Sequence, residues 1–171
     1  MSQPPPPPIT LEGPQGPISV VVSEASPTQR LPCRKLGAVP FGAPLQNEAD
    51  YVQLDEYLGA VPLTRDDGWR FWCLALTADP ARVLATCKTV RRRLLVRDAD
   101  VDAGAVRERR AYCLASVVTD PEYRGYGLAT LLLRRVAAWM DGPGGGVACL
   151  LYTSIKEVRA GSAYHVSHTA R

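Results

Sequence analysis

Residues Thr119-Asp-Pro-Glu-Tyr-Arg-Gly-Tyr-Gly-Leu-Ala129 decide the fold, because they join a strand pattern to a helix pattern through two glycines. Before this segment, residues 111–118 form a near-continuous apolar run, which is typical of a central strand covered on both faces. After it, apolar residues recur at helical spacing until Gly142-Pro143-Gly144 ends the pattern. The sequence therefore predicts a strand, a glycine turn and an amphipathic helix in that order.

This order of elements suits an anion-binding site. A helix N-terminus carries unpaired N–H groups and about half a positive charge, and glycines let the backbone approach an anion closely. Arg124 adds a fixed cation beside the turn. We therefore predict a pyrophosphate cradle over residues 124–129. The alternative interpretation is an ordinary tight turn.

Two other phosphate-binding motifs do not match. A dinucleotide-binding fingerprint needs a third glycine where this chain has Thr130, and a P-loop needs Gly-Lys-Ser/Thr, which the chain lacks. The pattern that remains is Arg-x-x-Gly-x-Ala, from Arg124 to Ala129. It closely resembles motif A of the GNAT superfamily of N-acetyltransferases.

Length and composition indicate one soluble domain. With 171 residues, the chain is long enough to bury roughly 68–70% of its unfolded surface. Its 20 basic and 17 acidic residues give a net charge of +3, too small to indicate a nucleic-acid or membrane partner. It has neither an apolar run of membrane-spanning length nor a signal-peptide pattern, so we predict a cytoplasmic protein.

Cysteine and histidine usage argues against disulfides and metal. The 5 cysteines are scattered and lack a Cys-x-x-Cys pair, which predicts buried, reduced thiols. The 2 histidines lie in the C-terminal tail, so no metal site is expected. Cys113 has no partner base nearby in the sequence, which favours core packing over a nucleophilic role.

The N-terminal half predicts a leader, a strand and a helix. Residues 1–17 include 5 consecutive prolines and are predicted to be a disordered leader, solvated rather than docked on a proline-binding domain. Residues 18–22 form a β-branched run, the first predicted strand. Residues 23–44 contain four prolines, which predicts only short helical turns, whereas residues 47–58 have the pattern of a real helix.

The second half predicts a hairpin and a last strand. Residues 69–76 and 82–90 form the hairpin, and residues 147–152 form the next strand after the helix. Arginines 91–93 are expected to end the hairpin's second strand, and three more follow in the predicted loop: Arg107, Arg109 and Arg110. They could steer an acidic cofactor, but the favoured interpretation is a solvated strand end that protects an edge.

Further segments are similar to fungal lysine N6-acetyltransferase-like proteins, namely residues 62–69, 82–96 and 150–155. The resemblance covers residues 18–156 and implies a GNAT-like α/β (α+β) fold, with a mixed, mostly antiparallel sheet flanked by helices. Residues 157–171 are predicted to be an irregular tail without the family's Tyr-x-x-x-Gly pattern, so Tyr164 is not given the family tyrosine's role. We therefore expect an incomplete C-terminal part, an uncovered sheet edge and self-association.

The resemblance implies transfer of an acetyl group from acetyl-CoA to a primary amine, with the lysine side chain as a candidate acceptor. It leaves the catalytic residues unassigned. Glu122 is a candidate base by position alone, and a surface carboxylate is the favoured interpretation. The alternatives are a degenerate acetyl-CoA-binding module and a proline-leader interaction protein. The implied cofactor-binding residues are Val117, Val118, Thr119, Arg124, Gly125, Tyr126, Gly127, Leu128 and Ala129.

Overall fold

The structure is a computed structural model that describes residues 6–42, 47–97, 106–147 and 149–151. These residues form a mixed α/β fold, as the sequence predicts. In chain order the elements are β1 (Ile9–Gly13), β2 (Gly16–Glu24), α1 (Pro27–Phe41), α2 (Glu48–Ala60), β3 (Trp69–Leu76), β4 (Val83–Arg97), β5 (Val106–Thr119), α3 (Leu128–Asp141) and β6 (Cys149–Leu151), with a 3-10 turn at Pro121–Tyr123 between β5 and α3.

The strands form one sheet in the order β1-β2-β3-β4-β5-β6. Neighbours from β1 to β5 are antiparallel, whereas β6 runs parallel to β5 and pairs with residues 112–114. The predicted central position of residues 111–118 is confirmed, because β5 lies between β4 and β6. The predicted hairpin is also confirmed, since β3 pairs with β4.

Both faces of the sheet are covered. On one face, α3 inserts Leu128, Leu132 and Val136 against buried side chains of β3, β4 and β5. On the other face, Cys33 of α1 packs in a smaller cluster with Phe71 of β3. The helix pattern of residues 128–139 is thus realised as predicted, and the C-terminal end of β5 lies between the two layers.

The predicted disordered leader is wrong for residues 9–17. Ile9–Gly13 pairs with the start of β2, and the turn between the strands uses Gly16 at φ +111°. Ile9 and Leu11 are partly buried against the core cluster under α3. Burial of these two side chains offsets the conformational-entropy cost of ordering this segment. Residues 1–5 lie outside the described part.

The prediction of short turns for residues 23–44 is also wrong, because α1 is a 15-residue helix. Pro27 lies in its first turn, where its missing N–H has no intrahelical partner to lose. Ser26 and Gln29 form a capping box at the N-terminus, and Cys33, Gly37 and Ala38 are buried. Packing therefore outweighs the cost of Pro32 and Pro40 inside the helix.

β4 and β5 extend further than predicted. Arg91–Arg93 do not end β4, which continues to Arg97, and Arg107, Arg109 and Arg110 lie in β5 rather than in a loop. The two extensions pair with each other in register, with Arg93 opposite Arg110. Charged residues continue the ladder because backbone pairing does not require burial. This placement tests neither of the two roles considered for these arginines, which are steering of an acidic cofactor and protection of a sheet edge.

The 5 cysteines are free thiols. Cys33, Cys73 and Cys87 are buried as predicted, whereas Cys113 is half-buried and Cys149 is exposed. Burial raises the pKa of the Cys87 thiol to about 12, so this thiol is unreactive at neutral pH. Among the described residues, no helix has the length and apolar character needed to cross a membrane.

Candidate functional site

The turn between β5 and α3 has the geometry of an anion cradle. Gly125 and Gly127 have φ values of +85° and +78°, in the left-handed region that favours glycine. Gly127 is the N-cap of α3, so the unpaired N–H groups of the helix begin beside it. A Cβ added at either glycine would meet nothing within 4 Å, which shows open space over the helix N-terminus.

Contacts with the start of β4 hold this turn in place. Asp120 directly follows β5, and its carboxylate accepts a hydrogen bond from the Glu122 N–H at 3.0 Å. The same carboxylate pairs with the Arg82 guanidinium at 2.9 Å. Asp120 is also tied to β4 through its own N–H, which donates to the Leu84 carbonyl at 2.8 Å. The cradle is therefore anchored to the sheet.

A pocket of about 330 Å³ opens at the cradle. It contains six of the nine predicted cofactor-binding residues. Its lining is Thr119, Tyr123, Arg124, Gly125, Gly127, Leu128, Ala129 and Thr130. The Arg124 side chain is exposed, and its Nε donates to the Thr119 carbonyl at 3.4 Å.

The other three predicted residues lie outside this lining. Tyr126 is an exposed turn residue, and Val118 is a buried β5 residue opposite Thr86. Val117 belongs to a bulge in β5, where the pairing shifts by a residue next to Ser116, whose φ is +51°. The side chains of these three residues therefore do not line the pocket. Their predicted roles depend on their backbone groups or on their proximity to the pocket.

The backbone direction at the end of β5 is informative. The Asp120 N–H points at β4, and successive N–H groups of a strand point to opposite edges. The Thr119 N–H therefore faces away from β4, on the edge where its carbonyl meets Arg124. This places a backbone donor beside the cradle.

A second pocket of about 230 Å³ lies on the α2 side of the sheet. It borders β5 at Ser116, three residues before Thr119 of the cradle pocket, or about 10 Å along the strand. Its lining is Tyr51, Leu54, Asp55, Leu58, Trp69, Lys88, Val90, Ala115 and Ser116. The two pockets therefore meet the same end of β5 from opposite layers.

A buried ionic cluster forms one wall of this second pocket. The Asp55 carboxylate accepts hydrogen bonds from the Lys88 ammonium and, at 3.1 Å, from Nε of Arg34. Lys88 Nζ also lies 4.6 Å from the ring centre of Trp69 and 4.9 Å from that of Phe71. Burial lowers the pKa of Lys88, although the neighbouring carboxylate of Asp55 opposes that shift.

Sequence reasoning missed this pocket. Lys88 is the one charged residue in the buried first half of β4, residues 83–90, and Asp55 lies one turn after Tyr51 on the buried face of α2. A buried charge needs a partner, so each residue is a local signal that a partner exists. Neither residue indicates which distant element supplies that partner.

Glu122 has the features of a surface carboxylate. Its side chain is 74% exposed and forms a long ion pair of 3.5 Å with Arg82. It is absent from the lining of both pockets. The interpretation favoured from sequence therefore fits better than the role of a base. Among the described residues, no group of three or more His, Cys, Asp or Glu could hold a metal ion.

Comparison with known proteins agrees with this geometry. The family model described as "Acetyltransferase (GNAT) family" matches residues 40–165. A search of curated proteins finds no match. Among solved structures, a GNAT family acetyltransferase from Staphylococcus aureus aligns with a TM-score of 0.58 at 15% identity, covering 90% of this chain and 98% of that one.

Two further solved structures show the same fold. An acetyltransferase from Trypanosoma brucei aligns with a TM-score of 0.53 at 16% identity, covering 85% of this chain and 96% of that one. An aminoglycoside N-acetyltransferase in complex with CoA aligns with a TM-score of 0.55 at 14% identity, covering 80% of this chain and 78% of that one. At these identities the similarity is one of fold.

Proposed function

The chain belongs to the acetyltransferase (GNAT) family, and from this premise we propose that it transfers the acetyl group of acetyl-CoA to a primary amine. The observation that carries the proposal is the open cradle at Gly125 and Gly127, where two left-handed glycines leave the N-terminus of α3 uncovered. The CoA complex of the similar aminoglycoside N-acetyltransferase supports the choice of cofactor.

In this proposal, the N–H groups of residues 125–129 hold the pyrophosphate of the cofactor, and Arg124 adds a cation at the rim. Of the predicted backbone donors at Val117, Val118 and Thr119, those that face away from β4 hold the pantetheine arm and polarise the thioester carbonyl. The Val118 N–H points at β4 and does not take part. The outward direction of the Thr119 N–H supports this arrangement. Fixed backbone dipoles stabilise the developing oxyanion without reorganisation.

The reaction forms a bond between the amine nitrogen and the acetyl carbon and breaks the bond between that carbon and sulfur. An alkylamine with an ordinary pKa is only roughly 0.04% neutral at pH 7, so its proton must leave before attack. The leaving thiolate takes up a proton as CoA departs. Lysine, the acceptor implied by the resemblance to the fungal proteins, is one amine to be tested.

Two further features accompany the proposal. Five free cysteines are compatible with the reducing cytoplasm, where we place the protein. We also propose that the protein associates with itself through the sheet edge at β6. An edge strand offers N–H and C=O groups to a second chain.

Substitution of Gly127 by valine tests the cradle. A β-branched side chain is strained at φ +78° and would project into the open space above α3. We expect CoA affinity, measured by calorimetry, to fall more than roughly tenfold. Gly16→Val is the matched control, because Gly16 is also left-handed, with open space around its Cβ position, but lies in the β1–β2 turn.

The control separates backbone strain from loss of the site. Both variants should lose stability, and circular dichroism will show whether each is folded. Equal CoA affinities for a folded Gly127→Val protein and the parent would refute the cradle. Acetyl-CoA-dependent thiol release over a panel of amines then tests turnover, and binding without turnover would leave only the cofactor site.

A further inference from the structure

The second pocket differs from the cradle in its chemistry. Its walls are mainly apolar and aromatic: Leu54 and Leu58 of α2 form part of the lining, and Trp69 and Val90 lie on the sheet. Leu54 and Leu58 are 40% and 41% exposed. These side chains offer apolar contact area to a ligand.

The charges in this pocket are already paired. Among the described residues that line it, Asp55 is the one carboxylate. It is shared by two cations, Lys88 and Arg34, and both Asp55 and Lys88 have side chains less than 10% exposed. The second carboxylate on Arg34 is Glu56, at 3.2 Å, and its side chain is 57% exposed.

Because these charges are paired, the pocket favours some ligands over others according to their charge. An ammonium group entering it would meet the Lys88 cation and would compete with two cations for Asp55. The electrostatic cost is greatest for ligands that carry several ammonium groups, because buried charges are weakly screened. An apolar body gains contact with Leu54, Leu58 and Trp69 without that cost.

We infer that the pocket between α2 and the sheet receives the acceptor, and that it selects a monoamine with an apolar or aromatic body over lysine and polyamines. The inference rests on the proposed function. Size agrees with it, since an apolar cavity of about 150 Å³ holds benzene and this pocket measures about 230 Å³. Position agrees as well, because Ser116 brings the pocket to the β5 bulge.

The test compares kcat/KM for 2-phenylethylamine, lysine and spermidine at saturating acetyl-CoA. We expect 2-phenylethylamine to exceed each of the other two at least tenfold. Leu58→Gln, in the lining of the pocket, should lower kcat/KM for 2-phenylethylamine roughly tenfold and leave CoA affinity unchanged. Leu31→Gln is the matched control, since Leu31 is similarly exposed, at 46%, on α1 outside the pocket lining.

Each outcome decides between the two proposals. A preference for lysine or spermidine, or equal effects of the two leucine variants, overturns the selectivity and leaves acetyl transfer standing. If CoA binds but no amine is acetylated, the proposed function fails. The pocket is then tested by tryptophan-fluorescence titration of the CoA-loaded protein with 2-phenylethylamine and spermidine, where tighter binding of spermidine overturns the inference.

Discussion

Arg124 lies at the rim of the cradle, and its environment fits the binding role proposed for it. Its side chain is exposed, and the contact of its Nε with the Thr119 carbonyl is long, at 3.4 Å. An arginine whose main role was structural would be better packed and more tightly bonded. Its guanidinium is thus available to a phosphate oxygen.

We predict that Arg124→Ala weakens CoA binding by about 1.5–3 kcal/mol, or roughly 10- to 150-fold, because one charge-assisted hydrogen bond is lost. Pantetheine, which lacks the pyrophosphate, should bind the variant and the parent alike. Calorimetry with both ligands measures this difference. Arg135→Ala, at an exposed position of α3, is the control. Equal losses for both ligands would point to a structural arginine.

Lys88 is expected to make the stability of the protein depend on pH. Burial lowers its pKa in the folded state, so the unfolded chain holds this proton to higher pH than the folded protein does. Stability contributed by Lys88 therefore rises with pH, from the lowered folded pKa up to the unfolded value of about 10.4. Burial of the cation is the physical cause.

Lys88→Met should remove this rise. We expect the free energy of unfolding of the parent, minus that of the variant, to increase between neutral pH and about pH 10 in urea titrations. Lys35→Met is the control, since the Lys35 side chain is 53% exposed. A flat or falling difference would show that Asp55 stabilises the ammonium enough to cancel its burial.

At the residue scale, sequence predicted one pocket and missed the other for a physical reason. The cradle depends on consecutive residues whose chemistry is local: two glycines, an arginine and a helix start. The second pocket depends on Arg34, Asp55 and Lys88, which come from α1, α2 and β4. No local pattern pairs such residues, because the fold alone brings them together.

At the scale of elements, α1 depends on its N-terminal cap. The Ser26 N–H donates to Gln29 Oε1 at 3.0 Å, and the Gln29 N–H donates to Ser26 Oγ at 3.3 Å. Gln29 also joins the helix to the turn before β4, because its Nε2 donates to the Pro80 carbonyl at 2.8 Å. One side chain thus caps the helix and fixes its position on the sheet.

Gln29→Ala should therefore destabilise the protein by about 1–2 kcal/mol, since it removes half of the capping box and the bond to Pro80. Urea unfolding followed by circular dichroism measures the change in midpoint. Arg30→Ala, at the next and exposed position of α1, should change it little. Similar midpoints for the two variants would mean that packing alone determines the helix.

The boundaries of several elements could not be predicted from the sequence. The strand at residues 69–76 and the helix after the glycine turn were predictable from the hydrophobic pattern of the sequence. In both elements, the pattern of apolar residues matches the element that the backbone hydrogen bonds form. In α1, tertiary packing overrides the prolines, and in β4 and β5 the ladder extends through arginines that no apolar pattern marks. Both differences arise from backbone pairing or packing with residues distant in sequence.

At the scale of the whole molecule, the sheet formed by the described residues is open, with β1 at one edge and β6 at the other. Within the described residues, each edge strand pairs on one side only: β1 with β2, and β6 with β5. Unpaired N–H and C=O groups at such an edge form a template for a second chain. The β6 edge adjoins the central strand β5, so pairing there would extend the main ladder of the sheet.

We predict that the protein self-associates through β6 rather than through β1, because β1 carries Glu12 and β6 carries no charged residue. A charge on an edge strand opposes pairing, so Cys149→Lys should shift sedimentation velocity profiles toward monomer. Thr10→Lys places the same charge on β1 and is the matched control, since Thr10 and Cys149 are both exposed. A parent protein that stays monomeric at high concentration would contradict self-association. A stronger effect of Thr10→Lys would instead assign the contact to β1.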